Sequence, residues 1–383
     1  PRAPAAAGSP QLGGRHRRGR EPMVVPGFAE AAGDRGDGHR AKSEWHSPFE
    51  YWVEKMGRDN LRITQWRLVA ALAWVAAMYF PLYSQRDLPQ LRLVLMLHHA
   101  MAAAGLDEGL LMSWTAAQPF ALRVLRPGSI VAPFFPKLLP ARQSVCGAAW
   151  YAAFLALAAW QLASRSVGDR DVKLFVAVFL VACCFDRGVF HSTRPSDILK
   201  FLVATLFPDP ELGVYVLLAC LYFWSGVFKL RGFFHGFLFP YQFLNFSGIS
   251  WLCRRWFLTE SFLPRPSCRA FGALGTGLEA AVGAGMLSSD DRVAQWSMLA
   301  GCAMHGFIFF FGMGPFRWNV MTLYMLCCCM KFREDRMLSA KVLVSSDIGT
   351  LLYIIFFGVV IPMIGLVQPI TLGRHFGGYR MAT

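Results

Sequence analysis

The chain has 383 residues, of which 55% are apolar, 14% aromatic and only 16% charged, and its formal net charge is +14. Soluble domains carry about 25% charged residues, so this composition indicates a membrane protein rather than two or three soluble domains. The basic residues lie mainly in the N-terminal tail and between apolar stretches, which suits anionic lipid headgroups better than a nucleic-acid groove. We therefore expect a lipid bilayer as partner and no nucleic acid, and we leave protein partners open.

The ten cysteines do not follow a disulfide or zinc-binding pattern. Cys183-Cys184 and Cys327-Cys328-Cys329 lie inside apolar runs, and no CxxC pair occurs. We interpret them as small apolar helix residues, with redox or metal-binding groups as the alternative.

The chain divides into four regions by composition. Residues 1–47 are rich in Arg, Gly, Pro and Ala and are predicted to be a disordered basic tail, because they cannot bury enough apolar surface to offset their chain entropy. Residues 48–65 mix polar and aromatic side chains and predict an interfacial amphipathic segment. Residues 66–368 carry the long apolar runs of a transmembrane domain, and residues 369–383 form a short C-terminal tail.

The apolar runs predict an all-α fold, a polytopic transmembrane helical bundle with about eight or nine spans and one or two half-helices. The candidate spans are 66–84, 91–111, 145–163, 172–190, 213–230, 271–287, 293–313, 316–330 and 347–367. Residues 198–207 are too short for a hydrocarbon core of about 30 Å, so they predict a half-helix. Residues 233–253 contain Pro240 and Asn245 and are either a second half-helix or a poor span. The location is integral to a membrane, in a compartment that the sequence leaves open.

Two sequence features bear on how the helices pack and end. Five glycines between residues 271 and 287 predict close helix approach, since small residues let backbones come together; they are Gly272, Gly275, Gly277, Gly283 and Gly285. Lys331, Arg333 and Arg336 follow the apolar run 316–330, and we expect them to end that helix on a positive, cytosolic side.

The run 91–111 contains His98-His99 and Asp107-Glu108, which together raise the question of a metal site. Adjacent helical residues point about 100° apart, so each pair offers only one good ligand to a given site. We interpret these groups as polar residues near a helix end and predict no metal site.

Four strongly polar residues, Lys229, Glu279, His305 and Asn319, fall within or at the ends of predicted spans. A charge in the bilayer costs roughly 2.5–3.5 kcal/mol on insertion scales, so Lys229 and Glu279 are candidates to pair with one another. Such a pair either locks helix packing or, because desolvation favours neutral forms, serves as an acid or base. His305 is open to the same two interpretations, and Asn319 is expected to form an interhelical hydrogen bond.

The string Tyr222-Phe-Trp-Ser-Gly-Val-Phe-Lys229-Leu230, followed by Gly236, resembles a pattern of the HTTM domain, the membrane module of vitamin K-dependent gamma-carboxylases. The stretch from His305 through Gly312 to Trp318-Asn319 is similar to that superfamily's second hallmark, a helical His followed by a Gly-containing turn and an aromatic helix start. The order of motifs along the whole chain also resembles an uncharacterised family of bacterial multispanning membrane proteins. On this resemblance, 66–368 is an HTTM-like domain.

The resemblance implies that Lys229 acts as a base in oxygenation of a quinol cofactor, with Glu279 or His305 assisting. It implies cofactor contacts at Trp224, His191 and Asn319, and a quinone or quinol as cofactor only if this chemistry operates. Because His191 is about two positions out of register with the carboxylases' Asn-Asn-His, we do not expect carboxylation of protein glutamates.

Three functions follow from these observations. The first is a structural or assembly component of the membrane with no catalytic activity. The second is a membrane enzyme that acts on a quinol or another lipid-soluble small molecule, with Lys229 as base. The third is a small-molecule transporter that uses the half-helices around a central charge.

Overall fold

The computed structural model describes residues 86–104, 120–164, 167–192, 195–230, 255–259, 265–310 and 316–363. All of them fall within one of the two compact units of the chain, Val53–Thr383. Across these ranges the secondary structure is helical, without strands. The helices are α1 (Leu88–Ala103), α2 (Phe120–Leu125), α3 (Val145–Ser164), α4 (Asp169–Phe185), α5 (Arg187–Ser192), α6 (Pro195–Ala204), α7 (Pro210–Lys229), α8 (Pro266–Met286), α9 (Asp291–Phe310), α10 (Phe316–Asp335), α11 (Ala340–Val344) and α12 (Ile348–Ile355), which continues into a π-helical segment, Phe356–Val360.

The all-α prediction is confirmed over the described ranges, whereas the eight or nine spans are not. Among the described helices, α3 and α7 are long and apolar enough to cross a membrane. Three others, α8, α9 and α10, have 20 or 21 residues but a less apolar composition. The predicted span 66–84, the half-helix 233–253, the interfacial segment 48–65 and both tails lie outside the described residues.

Helix α1 is a core helix rather than a lipid-facing one. It begins after Asp87, whose carboxylate accepts a hydrogen bond from the Gln90 backbone N–H at 3.0 Å. Its side chains are buried around the whole circumference, and it packs against α3, α4, α6 and α10. At 1.5 Å per residue it is about 24 Å long, less than a hydrocarbon core of about 30 Å. The predicted run 91–111 therefore begins inside the protein, and the helix ends at Ala103.

Helix α4 ends five residues before the predicted span 172–190 does, because Asp186 leaves the helical conformation at φ −144° and ψ 104°. The Asp186 carboxylate is buried and accepts hydrogen bonds from the Arg123 guanidinium at 2.8 Å and the Gly188 backbone N–H at 2.9 Å. Arg123 also donates to the Ile130 carbonyl at 3.0 Å, so this ion pair attaches the proline-rich loop 126–144 to the end of α4.

Helix α6 overlaps the stretch 198–207, for which a half-helix was predicted, but it begins and ends three residues earlier. It has ten residues and is therefore about 15 Å long, half the thickness of a hydrocarbon core. It ends at Ala204, one turn before α7 begins, and it packs against α1 and α7.

Helices α7 and α8 pack together at two glycines. A Cβ atom on Gly226 would lie 2.5 Å from the Ala280 backbone nitrogen, and one on Gly283 would lie 2.4 Å from the Phe223 backbone nitrogen. Both contacts are with backbone, so only glycine allows this separation. The five-glycine expectation holds in part, because Gly275 and Gly277 have nothing within 4 Å of a Cβ and lie on the outer face of α8.

Large apolar side chains are exposed on the outer faces of α3, α4, α8, α9 and α12. Representatives, one per helix, are Trp160, Leu180, Leu274, Trp296 and Leu352, with exposures from 44% to 72%. Contiguous apolar surface of this kind marks contact with a membrane or with another protein.

Candidate functional site

Lys229 and Glu279 form an ion pair between α7 and α8. The Lys229 Nζ atom lies 2.5 Å from Glu279 Oε2, and the two side chains are 14% and 12% exposed. Lys229 is the last residue of α7, where a cation also interacts favourably with the helix dipole. The predicted pairing of these two residues is confirmed.

The spacing of residues on α7 explains how this pair forms. Tyr222, Gly226 and Lys229 are spaced i, i+4 and i+7, so they share one helix face. Gly226 brings this face against the α8 backbone at Thr276 and Ala280, one turn from Glu279. The close helix contact therefore places the carboxylate within reach of the lysine.

His305 and Asn319 link α9 to α10. Both side chains are buried, and His305 Nδ1 lies 2.7 Å from Asn319 Oδ1. Because an amide oxygen only accepts, His305 Nδ1–H is the donor in this contact. The expected interhelical hydrogen bond of Asn319 is thus present.

Tyr222 joins the two pairs into one cluster. Its ring lies 5.6 Å from the His305 ring in an edge-on arrangement. Tyr222 also shares its face of α7 with Lys229, whose Nζ atom contacts Glu279. The buried Tyr222 hydroxyl has no hydrogen-bond partner among the residues that the structure describes. Leaving such a group unpaired costs about 1–3 kcal/mol, which makes it a feature of interest.

Sequence reasoning missed Tyr222 as a site residue. The signal that could have found it is its position seven residues before Lys229, on the same helix face. Chemically, the cluster combines a cation, a carboxylate, an imidazole and a hydroxyl, contributed by α7, α8 and α9.

Trp224 lies elsewhere. Two residues beyond Tyr222, it points to the opposite side of α7, and its Nε1–H donates to the Gly358 carbonyl at 2.8 Å. Gly358 belongs to the π-helical segment, where the altered hydrogen-bond pattern leaves carbonyls for such partners. The structure therefore does not bring Trp224 together with Lys229. The His191 side chain lies outside the described part of the chain.

Arg333 is the polar residue whose environment differs most from the prediction. We expected it on an aqueous face, but it is 8% exposed. Its guanidinium donates to acceptors from four parts of the bundle, namely Asp291 at 2.8 Å, Tyr215 Oη at 2.9 Å, and the carbonyls of Met286 at 3.3 Å, Ser288 at 3.0 Å and Leu338. Carbonyls at the end of a helix lack intrahelical hydrogen-bond donors, and the Arg333 guanidinium donates to them instead. Because four of the five partners lie 42 to 118 residues away in the sequence, no local pattern predicts this arrangement.

His98 and His99 are both buried in α1. His98 Nδ1 lies 2.8 Å from the Val94 carbonyl of the preceding turn. The His99 ring packs edge-on against Phe175 and Phe179, with centroids 5.8 and 4.3 Å away. His99 therefore packs as a core aromatic residue. Asp107 and Glu108, the other half of the predicted polar pair, lie outside the described residues.

The two sequence motifs that carry the HTTM resemblance meet in space, since Tyr222 belongs to the first and His305 and Asn319 to the second. Lys229, Glu279, His305 and Asn319 are the four predicted site residues that share this region. No protein-family model matches the chain, and neither a curated protein nor a solved structure matches it.

Proposed function

We propose that the chain is a multi-pass integral membrane protein of the HTTM-like superfamily, and that its polar cluster is structural. In this proposal the Lys229–Glu279 pair and the His305–Asn319 bond hold α7, α8, α9 and α10 together within the bilayer. The protein would then act as a structural or assembly component of its membrane.

The observation that carries the membrane location is the distribution of polarity. Apolar side chains such as Leu274 and Trp296 are exposed on outer faces, whereas ionic side chains such as Lys229 and Arg333 are paired inside. A protein in water does not gain from this arrangement, because exposed apolar surface is costly there. Hydrocarbon around the outer faces of α3, α4, α8, α9 and α12 removes that cost.

The observation that favours a structural role is that Lys229 contacts Glu279 directly. A buried charge that already has its counter-ion is neutralised in place, and separating the two requires the lost Coulomb energy. Gly226 and Gly283 hold the two helices at the distance that the pair needs.

Carbonate extraction and thiol labelling test the membrane location. We expect the full chain to stay with membranes after carbonate washing. Labelling by a membrane-impermeant maleimide is compared with that of the parent chain, which has its own cysteines. We expect more labelling than in the parent for Ser289→Cys at the α8–α9 turn, and no increase for Leu274→Cys on the outer face of α8. Release by carbonate, together with equal labelling at the two positions, would contradict the proposal.

A second function, an enzyme acting on a quinol with Lys229 as base, is favoured by one observation. The Tyr222 hydroxyl is buried, its ring packs against His305, and it has no described hydrogen-bond partner. A bound ligand would supply that partner. In this mechanism Lys229 is the base that accepts a proton from the quinol hydroxyl, Glu279 stabilises the resulting ammonium, and Tyr222 donates to a ligand oxygen.

Single and double substitutions separate the two functions. Lys229→Met leaves the Glu279 carboxylate without its counter-ion, and removal of one partner of a buried pair costs about 3–5 kcal/mol, somewhat less here because both groups retain some exposure. Lys229→Met with Glu279→Leu removes both charges, so a structural pair predicts recovery of most of the stability. The enzyme hypothesis instead predicts that the parent chain catalyses the oxidation of a short-chain ubiquinol by dioxygen, which takes up the two electrons and two protons of the quinol as hydrogen peroxide, and that the stable double variant does not.

A further inference from the structure

An apolar groove of about 380 Å³ runs between α8 and α9 on the outer face of the bundle. Its lining is apolar, with Leu278, Val293 and Trp296 as large side chains and Ala281 and Ala300 as small ones. Trp296 is 71% exposed, so the groove is open along its length rather than sealed by the protein.

Arg292 lies at one end of this groove, in the first turn of α9. The neighbouring carboxylates are already engaged, since Asp290 Oδ1 accepts the Arg292 backbone N–H at 2.8 Å and Asp291 pairs with Arg333 at 2.8 Å. Over the described ranges no ion pair involves the Arg292 side chain. The groove therefore combines an apolar lining with an available cation at its end.

We propose that this groove binds an anionic phospholipid, with one acyl chain along α8 and α9 and the phosphate at Arg292. This inference rests on the proposed membrane location. Arg292 and Ala300 are eight residues apart, so the groove extends about 12 Å along the helix, which fits within one leaflet of a core of about 30 Å.

The order of residues along the groove matches the layers of a bilayer. Arg292 lies at the helix end, where anionic headgroups attract basic residues. Trp296 follows one turn deeper, at the level where tryptophans concentrate in membrane proteins. Ala281 and Ala300 come deepest, where only hydrocarbon has to be accommodated.

The chain supplies a matched control for Arg292. Helix α4 also begins with Asp-Arg, and its Asp169 pairs with the buried Arg92 at 2.5 Å, as Asp291 pairs with Arg333 in α9. Arg170 is thus an exposed arginine in the same position of a helix, and it does not line the groove. Both Arg292→Gln and Arg170→Gln remove one positive charge, but only the first removes it from the groove. A difference between the two variants therefore reports on the groove itself.

Native mass spectrometry of the full chain tests the proposal, with dioleoyl phosphatidylglycerol and dioleoyl phosphatidylcholine offered at equal concentration. We expect the parent chain to retain phosphatidylglycerol preferentially and Arg292→Gln to reduce that preference about fivefold, as one basic residue near a headgroup implies. Arg170→Gln should leave the preference unchanged. Ala300→Phe, which fills the groove, should reduce retention of both lipids.

Two results would overturn the proposal: equal lipid preference in Arg292→Gln and the parent, or displacement of phosphatidylglycerol by millimolar inorganic phosphate, which would indicate a site for free anions. A melting temperature measured for each variant excludes misfolding as the cause of lipid loss. If the chain itself is released from membranes by carbonate, the proposed function fails. If it stays in the membrane but Arg292→Gln binds lipid as the parent does, the groove proposal alone fails.

Discussion

The bundle contains two buried polar regions that differ in the kind of partner they use. Arg333 contacts three backbone carbonyls in addition to Asp291 and Tyr215. The cluster around Lys229 and Glu279, by contrast, is joined by contacts between side chains of different helices.

This difference determines how easily each region can rearrange. Backbone carbonyls at helix ends cannot change partners without unfolding the helix end, so Arg333 fixes the geometry of the bundle. Side chains can rotate and exchange partners at a smaller cost. Under the enzyme hypothesis, the buried Tyr222 hydroxyl, which lacks a partner within the described residues, is the group that would contact a ligand.

The largest expected effect is that of Arg333→Met. Removal of the guanidinium leaves the Ser288 and Leu338 carbonyls without this donor, whereas Met286 keeps the Tyr215 hydroxyl and Asp291 is 69% exposed. Because each buried acceptor left unpaired costs about 1–3 kcal/mol, we expect a loss of about 2–6 kcal/mol in the free energy of unfolding. Denaturation in mixed micelles measures it. Arg336→Met is the control, because Arg336 is 42% exposed and its pairing with Asp209 resembles a surface ion pair worth about 0–1 kcal/mol. Equal effects of the two variants would show that Arg333 is not the structural centre.

Gly283→Ala acts on the helix contact between the two regions. The new Cβ would lie 2.4 Å from the Phe223 nitrogen, so α7 and α8 must separate, at a cost of about 1–3 kcal/mol. The same measurement on Gly277→Ala should show no loss, or a gain of up to about 1 kcal/mol, because Gly277 is open and alanine favours helix. If Gly283→Ala is as stable as Gly277→Ala, the two regions are not coupled through this contact.

The smallest expected effect is that of Tyr222→Phe, which removes only a hydroxyl. With no described partner to lose and the desolvation cost of the unpaired hydroxyl removed, the purified protein should lose no stability and should gain up to about 1 kcal/mol. Loss of ubiquinol turnover without loss of stability would assign the hydroxyl to a ligand. A stability loss above about 1 kcal/mol would show that the hydroxyl forms a hydrogen bond within the protein. Both polar regions would then be structural.

Some of this architecture follows from local sequence alone. Uninterrupted apolar runs of about 20 residues predict α3 and α7 within a few positions, because helix formation and apolar patterning are properties of consecutive residues. Short length likewise predicts α6 as a half-helix. The Lys229–Glu279 pair was predictable because the sequence places two opposite charges inside apolar runs, where each needs a partner.

Only the tertiary structure decided which helix faces are buried and which distant residues meet. Helix α1 is enclosed on every side, and Gly275 and Gly277 face outward although their sequence neighbour Gly283 lies against α7. Arg333 is buried because carbonyls from the ends of other helices surround it, and Tyr222 joins the site because His305 packs against its ring. Sequence spacing determines the residues that share a helix face, whereas the packing of helices far apart in the chain determines what that face contacts.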